Sequence, residues 1–202
     1  MKFKPILISA CLIFLFSIAG LGCTSQKENV ENAPSPPVKE AAPISIDDYS
    51  VHKIGSPEDL VAIGMGRAAV EAIVGQPVTE TNNDYTISCS YPSGINMVYR
   101  NDSVADITLS ADSEQVYQTY RGLSVGQPND VQTQFSQKPE ETISSSNIKF
   151  IYDAELDQVI KKVPDPPQDK VFVYNIRVDV LTEKIQNIRL SDNQAFVSGG
   201  QR

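Results

Sequence analysis

The 202-residue sequence has no tryptophan, a single histidine (His52) and three cysteines, two of which, Cys11 and Cys23, fall near its beginning. Cys89 is therefore alone in the body of the chain. No intramolecular disulfide can form there, so stability has to come from a buried core, which the stretch from Val51 to Val197 is long enough to build. One histidine, expected at the surface, rules out a histidine-ligated zinc cluster and a histidine general-base network. Cys89 lies in an alternating strand pattern, where a cysteine behaves as a small buried hydrophobe rather than a reactive thiol. Positive charge is also scarce: 17 Lys and Arg stand against 25 Asp and Glu, for a formal net charge of −8. Neutralising phosphates takes Lys and Arg, so nucleic acid is excluded as a partner, and the same balance argues against lying flat on anionic lipid. Surplus acid keeps such a chain soluble. The uncharged apolar run Ile6–Gly22 counts 17 residues, short of the roughly 20 that span a bilayer's hydrocarbon.

That run follows Lys2 and Lys4 and ends at Ala19-Gly20-Leu21-Gly22-Cys23, the arrangement of an export signal whose cleavage leaves a cysteine at the new N-terminus. Residues 1–22 are read as a lipoprotein signal peptide and Cys23 as the lipidated residue, which anchors the chain to a membrane. Removing the signal takes away two cations and no acid, so the net charge becomes −10. From Cys23 to Ser50 the chain carries Pro34, Pro36, Pro37 and Pro43 among Glu, Asn, Ser and Lys, with few large apolar side chains. Residues 23–50 are read as a disordered spacer. A flexible coil of about 27 residues reaches roughly 30 Å. The expected setting is a bacterial cell envelope, with the domain lipid-anchored outside the cytoplasm.

Ile63-Gly64 opens a stretch that closes on Gly75-Gln76-Pro77, and Val125-Gly126 opens another that closes on Pro139; Gly64 and Gly126 lie 62 positions apart, as do Pro77 and Pro139. A fixed offset is the mark of a duplicated supersecondary unit. In the first copy Ser56-Pro57-Glu58-Asp59 has the cap, proline and acids of a helix start. Arg67–Val74 then places Ala69, Val70, Ile73 and Val74 on one helical face before Gly75 and Pro77 stop it. Period-two alternation predicts strands through Tyr85, Ile87, Cys89 and Tyr91, through Ile95, Met97 and Tyr99, and through Ala105, Ile107 and Leu109, with turns at Pro92-Ser93-Gly94 and Asn101-Asp102. The second copy predicts a helix near Asn129–Gln137 and strands through Ile148–Tyr152, Phe172–Val178 and Ile185–Ser191, the last matching Val104–Ser110 at an offset of 81. The second copy is thus about 19 residues longer, the surplus falling around residues 154–169, where Pro164, Pro166 and Pro167 cannot join a ladder. That loop is either a tolerated insertion or a place where function was added. The fold read from these patterns is α+β, two tandem helix-plus-antiparallel-sheet repeats at residues 51–115 and 116–197.

The stretch Ile63-Gly64-Met65-Gly66-Arg67-Ala68-Ala69-Val70-Glu71-Ala72-Ile73-Val74-Gly75-Gln76-Pro77 resembles the opening helix of the superfamily that joins the β-lactamase inhibitor protein (BLIP) with the SmpA/OmlA (BamE) type of outer-membrane assembly lipoprotein. In that pattern a Gly-Met-Thr/Ser-Arg start leads to an apolar helix ending in Gly-x-Pro. The second copy, Val125-Gly126-Gln127-Pro128, lacks the Met-Thr-Arg portion. The resemblance implies a tandem of two such units whose sheets form a concave face; this chain departs from the inhibitor in having no disulfides and no tryptophan.

Asp153, Glu155, Asp157, Asp165 and Asp169 lack the spacing and the glycine of a calcium loop and are read as solvated loop charge. Gly64-Met65-Gly66 is followed by neither a Lys-Ser/Thr pair nor the dinucleotide spacing, so its glycines are structural. No catalytic residue, metal or cofactor is assigned, and the chain is not read as an enzyme. On the outer faces of the predicted strands, Arg100, Ile151, Arg177 and Arg189 form the candidate interaction face, because interfaces favour arginine. Ordinary solvent exposure of a half-buried antiparallel sheet gives the same pattern. The expected function is a non-catalytic protein-binding or assembly module with an envelope protein as partner. The alternative, which the resemblance alone points to, is inhibition of an envelope or extracellular enzyme of the β-lactamase or cell-wall hydrolase type.

Overall fold

A computed structural model describes residues 41–139, 141–142 and 146–199, which belong to one compact unit, Lys39–Arg202. The signal peptide, Cys23 and the first part of the spacer lie outside the described residues. The chain runs β1 (Ser50–Lys53), β2 (Ser56–Ala62), α1 (Arg67–Val74), β3 (Thr79–Asn82), β4 (Ile87–Ser90), β5 (Ile95–Arg100), β6 (Ser103–Leu109), β7 (Tyr117–Thr119), α2 (Val131–Gln134), β8 (Glu141–Thr142), β9 (Asn147–Asp153), β10 (Gln158–Val159), β11 (Val171–Val178), β12 (Ile185–Asp192) and α3 (Asn193–Gly199).

Two antiparallel sheets result. One has three strands in the order β2-β1-β7; the other has nine, in the order β10-β9-β11-β12-β6-β5-β4-β3 with β8 alongside β9. The architecture is mostly antiparallel β, which corrects the expected α+β fold of two helix-plus-sheet repeats. The reason lies at the middle of the large sheet. β6 and β12, the last strand of each meander, pair with one another, with Ile107 opposite Leu190 and Leu109 opposite Ile188. Two apolar strands that would each have ended a sheet in an exposed edge are thereby joined.

Helices are correspondingly few. Ser56–Asp59 is strand, because Ser50 and Val51 of β1 take Ala62 and Val61 as partners; Pro57 is tolerated because β2 is an edge strand. The second-copy helix shrinks to the single turn of α2. Phe135 leaves helical geometry (φ −113°, ψ 130°) and packs its ring 4.7 Å from that of Phe150 and 5.6 Å from that of Tyr174. α1 keeps its expected bounds, burying Val70 and Val74 and ending where Gly75 donates its N–H to the Glu71 carbonyl.

What recurs between the halves is the docking of the glycine turn. Gly64 donates to the Val104 carbonyl at 2.7 Å and Val104 donates back to Met65 at 2.9 Å; Gly126 donates to Ile185 at 2.8 Å and Ile185 back to Gln127 at 2.9 Å. Both glycines have positive φ, +86° and +84°, the region where a side chain is disfavoured.

One apolar cluster fills the space between the inner face of the large sheet, the small sheet and α1, and includes Tyr49, Val51, Val61, Val70, Tyr99, Ile107, Phe135, Phe150, Tyr174 and Ile188. Residues 42–50, which the sequence assigns to the spacer, enter this core. Ile44 and Tyr49 are buried, and the Tyr49 ring lies 5.2 Å from Phe172 and 6.1 Å from Tyr152. Arg121 clamps this strap. Its Nε and Nη2 donate to the buried Asp48 carboxylate at 2.5 and 2.7 Å, and its Nη1 donates to the carbonyls of Ala42 and Gln134 at 2.9 and 2.8 Å. Nη2 also reaches the Pro43 carbonyl. The guanidinium lies 4.5 Å from the centre of the Phe135 ring. His52 is buried in β1 rather than at the surface, its Nδ1 2.9 Å from the Lys53 carbonyl.

Candidate functional site

The pairing registers fix which residues share the outer face of the large sheet. Ser90, Asn96, Thr108, Arg189, Asn175 and Lys149 form one row across it, and Ser88, Val98, Asp106, Ser191, Val173 and Ile151 the next. α3 packs on the β6, β12 and β11 part of this face. In that part Asp106, Ser191, Val173 and Ile151 are buried, whereas Ser88, Ser90, Asn96 and Val98 at the β4–β5 end remain partly open.

Asp192 starts α3 as its cap, accepting the Ala195 N–H at 2.7 Å. The same carboxylate takes both terminal nitrogens of Arg100, at 3.1 and 2.6 Å. Arg189 donates from Nε to Asp106 at 2.5 Å and lies 5.7 Å from the Phe196 ring of α3; Thr108 adds a second hydrogen bond to Asp106 at 3.0 Å. Burial outweighs these partners and holds the Asp106 carboxyl above the usual carboxylate range. The four residues of the candidate interaction face therefore have different fates. Arg100 and Arg189 are committed to ion pairs, Ile151 is 1% exposed and register-paired with buried Val173, and Arg177 is exposed. They do not share one open surface.

The open half of the face runs out to β3, whose four residues are all exposed. The other sheet edges carry devices that discourage strand pairing: β2 has Pro57, Glu58 and Asp59, β7 has three residues, and β10 has two. β3 has neither proline nor lysine. Its single charge, Glu80, is taken by Arg67 of α1 at 2.6 Å, and Arg67 also holds Glu71 at 2.6 Å. This arginine keeps both carboxyls below their ordinary range. Nearby Cys89 is 2% exposed and its thiol is pushed up by burial, the condition of an unreactive cysteine.

The loop that distinguishes the second half is stitched down at both ends. Asp153 accepts the N–H groups of Glu155 and Leu156, the Tyr152 hydroxyl donates to Asp157 at 2.6 Å, and Gln194 of α3 donates to Asp169 at 2.5 Å. Among the described residues no group of three or more His, Cys, Asp or Glu is placed to hold a metal ion. No described helix is long and apolar enough to cross a membrane.

In sequence, no family profile and no curated protein matches the chain. Among solved structures, a cysteine-rich secretory protein from Staphylococcus aureus overlays with a TM-score of 0.44 and 10% identity, covering 79% of this chain and 50% of that one. The chain thus spans about half the length of that protein. The expected tie to the BLIP and SmpA/OmlA (BamE) superfamily is corrected by these findings: nothing in them supports it, and the chain does not build the two helix-plus-sheet units that the resemblance implies. A 15-residue motif around α1 specifies a helix start and stop, which many folds use.

Sequence reasoning missed β1, β7, β8 and β10, and, of the elements that shape this face, β3 and α3. Thr79-Glu80-Thr81-Asn82 contains no apolar residue to set a period. For α3 the signal was present: Asp192 is a good helix cap, but it directly follows a convincing strand pattern, Ile185–Ser191, and no long apolar face comes after it.

Proposed function

We propose that this chain is a bacterial envelope lipoprotein, anchored through Cys23, that acts as a non-catalytic binding module and receives an extended segment of another envelope protein as an added strand at β3. The observation that carries the reading is the unguarded edge at Thr79–Asn82 beside a face left open by α3. Strand addition draws affinity from main-chain hydrogen bonds and specificity from alternate side chains. Thr79 and Thr81 continue the outward rows through Ser90 and Ser88, so an added strand would extend a surface of hydroxyls and amides. The signal sequence and lipobox support the location, and the net charge of −10 after cleavage supports a partner other than nucleic acid. The inhibitor alternative drew on the superfamily resemblance, and no feature of the structure favours it.

A photo-crosslinking residue at position 81, introduced in intact cells, should capture an envelope protein. Thr79→Lys should abolish that capture, because it places a charge on the edge without touching the core. Capture of nothing, or capture indifferent to the lysine, would sink the reading.

A further inference from the structure

We infer that the end of the large sheet carries a second binding site, a groove for a neutral saccharide between the β3–β4 turn and the β5–β6 turn. The inference does not depend on strand addition at β3. The two turns border an open cleft of about 540 Å³. Half-buried Ile87 and its register partner Tyr99 are the apolar residues at its base, in a lining that is otherwise mostly polar. One wall is Tyr85, a full aromatic side chain left 84% exposed. The alternation Tyr85, Ile87, Cys89, Tyr91 predicts an inward ring; instead the chain turns before Ile87, closed by the Asn83 N–H on the Thr86 carbonyl at 2.8 Å.

Both rims are held in place before any ligand arrives. Asn101 and Asp102 occupy the β5–β6 turn at φ +50° and +61°, and the Asp102 carbonyl accepts the first N–H of α1, from Arg67, at 3.0 Å. Among the described residues the side chains of Asn83, Asn101 and Asp102, which line the cleft, hold no hydrogen bond or ion pair.

The chemistry of the lining selects the ligand. Arg100 contributes to the groove, but both its terminal nitrogens are committed to Asp192. Asp84 and Asp102 then leave the groove with negative charge, which repels phosphates and carboxylates. What fits is a neutral molecule with one apolar flat face for Tyr85 and a ring of hydroxyls for groups that donate and accept in pairs, as an asparagine amide does. A pyranose has both.

The test is saturation-transfer difference NMR on chitotetraose with the full chain held in micelles of a detergent that carries no sugar. Transfer should concentrate on one face of a sugar ring and titrate with a dissociation constant on the order of 1 mM. Tyr85→Ala, at an exposed position that leaves the thermal midpoint unchanged, should weaken binding about tenfold or more, and Asn83→Ala severalfold. Leu181→Ala, on the exposed tip of the β11–β12 hairpin, should change nothing. Absence of transfer at about 10 mM sugar, a Tyr85→Ala chain that binds as before, or stronger binding of a lysine-bearing peptide at these residues would overturn the inference.

Discussion

Asp106 and Arg189 meet across β6 and β12 beneath α3, with the carboxylate nearly sealed from water and the guanidinium partly open. Because burial raises the Asp106 carboxyl, the folded state holds that proton more tightly than the unfolded chain does. Stability contributed at this site therefore falls as pH climbs from the ordinary aspartate value through the raised one. Arg189 limits the rise. Arg189→Met should push the Asp106 carboxyl further up, steepen the loss of stability with pH in that window, and cost roughly 2 kcal/mol near neutrality, less than a fully buried pair because Arg189 is partly solvated. Carboxyl NMR titration and urea unfolding at two pH values check this; an unmoved Asp106 would show that the arginine does not govern it. At this scale the sequence reveals which arginines point outward but not what they do there. Asp106 and Arg189 are 83 residues apart, and only the pairing of β6 with β12 brings them together.

Among the elements, α1 was legible because its signals are local: an apolar face, a glycine stop and a following proline. Ser56-Pro57-Glu58-Asp59 shows the limit of such signals, since its helix-start chemistry gives way to pairing with β1. The strap of residues 42–49 was hidden by composition, its prolines and acids masking Ile44 and Tyr49. It is part of the fold, not of a disordered spacer. A chain begun at Val51 should be much less stable than one begun at Ala41, because losing the Tyr49 ring alone removes roughly 3–5 kcal/mol and Arg121 is left without its carboxylate partner. Denaturant midpoints compare the two, and equal values would show the strap to be dispensable.

Across the whole molecule, the 62-residue offset, read as a duplicated helix-plus-sheet unit, marks instead two glycine turns that dock alike, and nothing in a periodicity says how two halves join. Here they join edge to edge, and β6 is buried on both faces from Val104 to Ile107. Residues 41–122 expressed alone should therefore lack dispersed amide resonances, while the intact chain should unfold in one transition. A folded half would disprove this interdependence. The Arg121 clamp has a mechanical consequence. Tension arriving from the chain ahead of Ala42 meets the fold first at Arg121 and at the bridge from Ala42 to Phe135. Because one guanidinium holds Ala42, Pro43, Asp48 and Gln134 together, these bonds have to yield as a group before Tyr49 can be drawn from the core. The attachment resists as a rivet does, with a high threshold and an abrupt release.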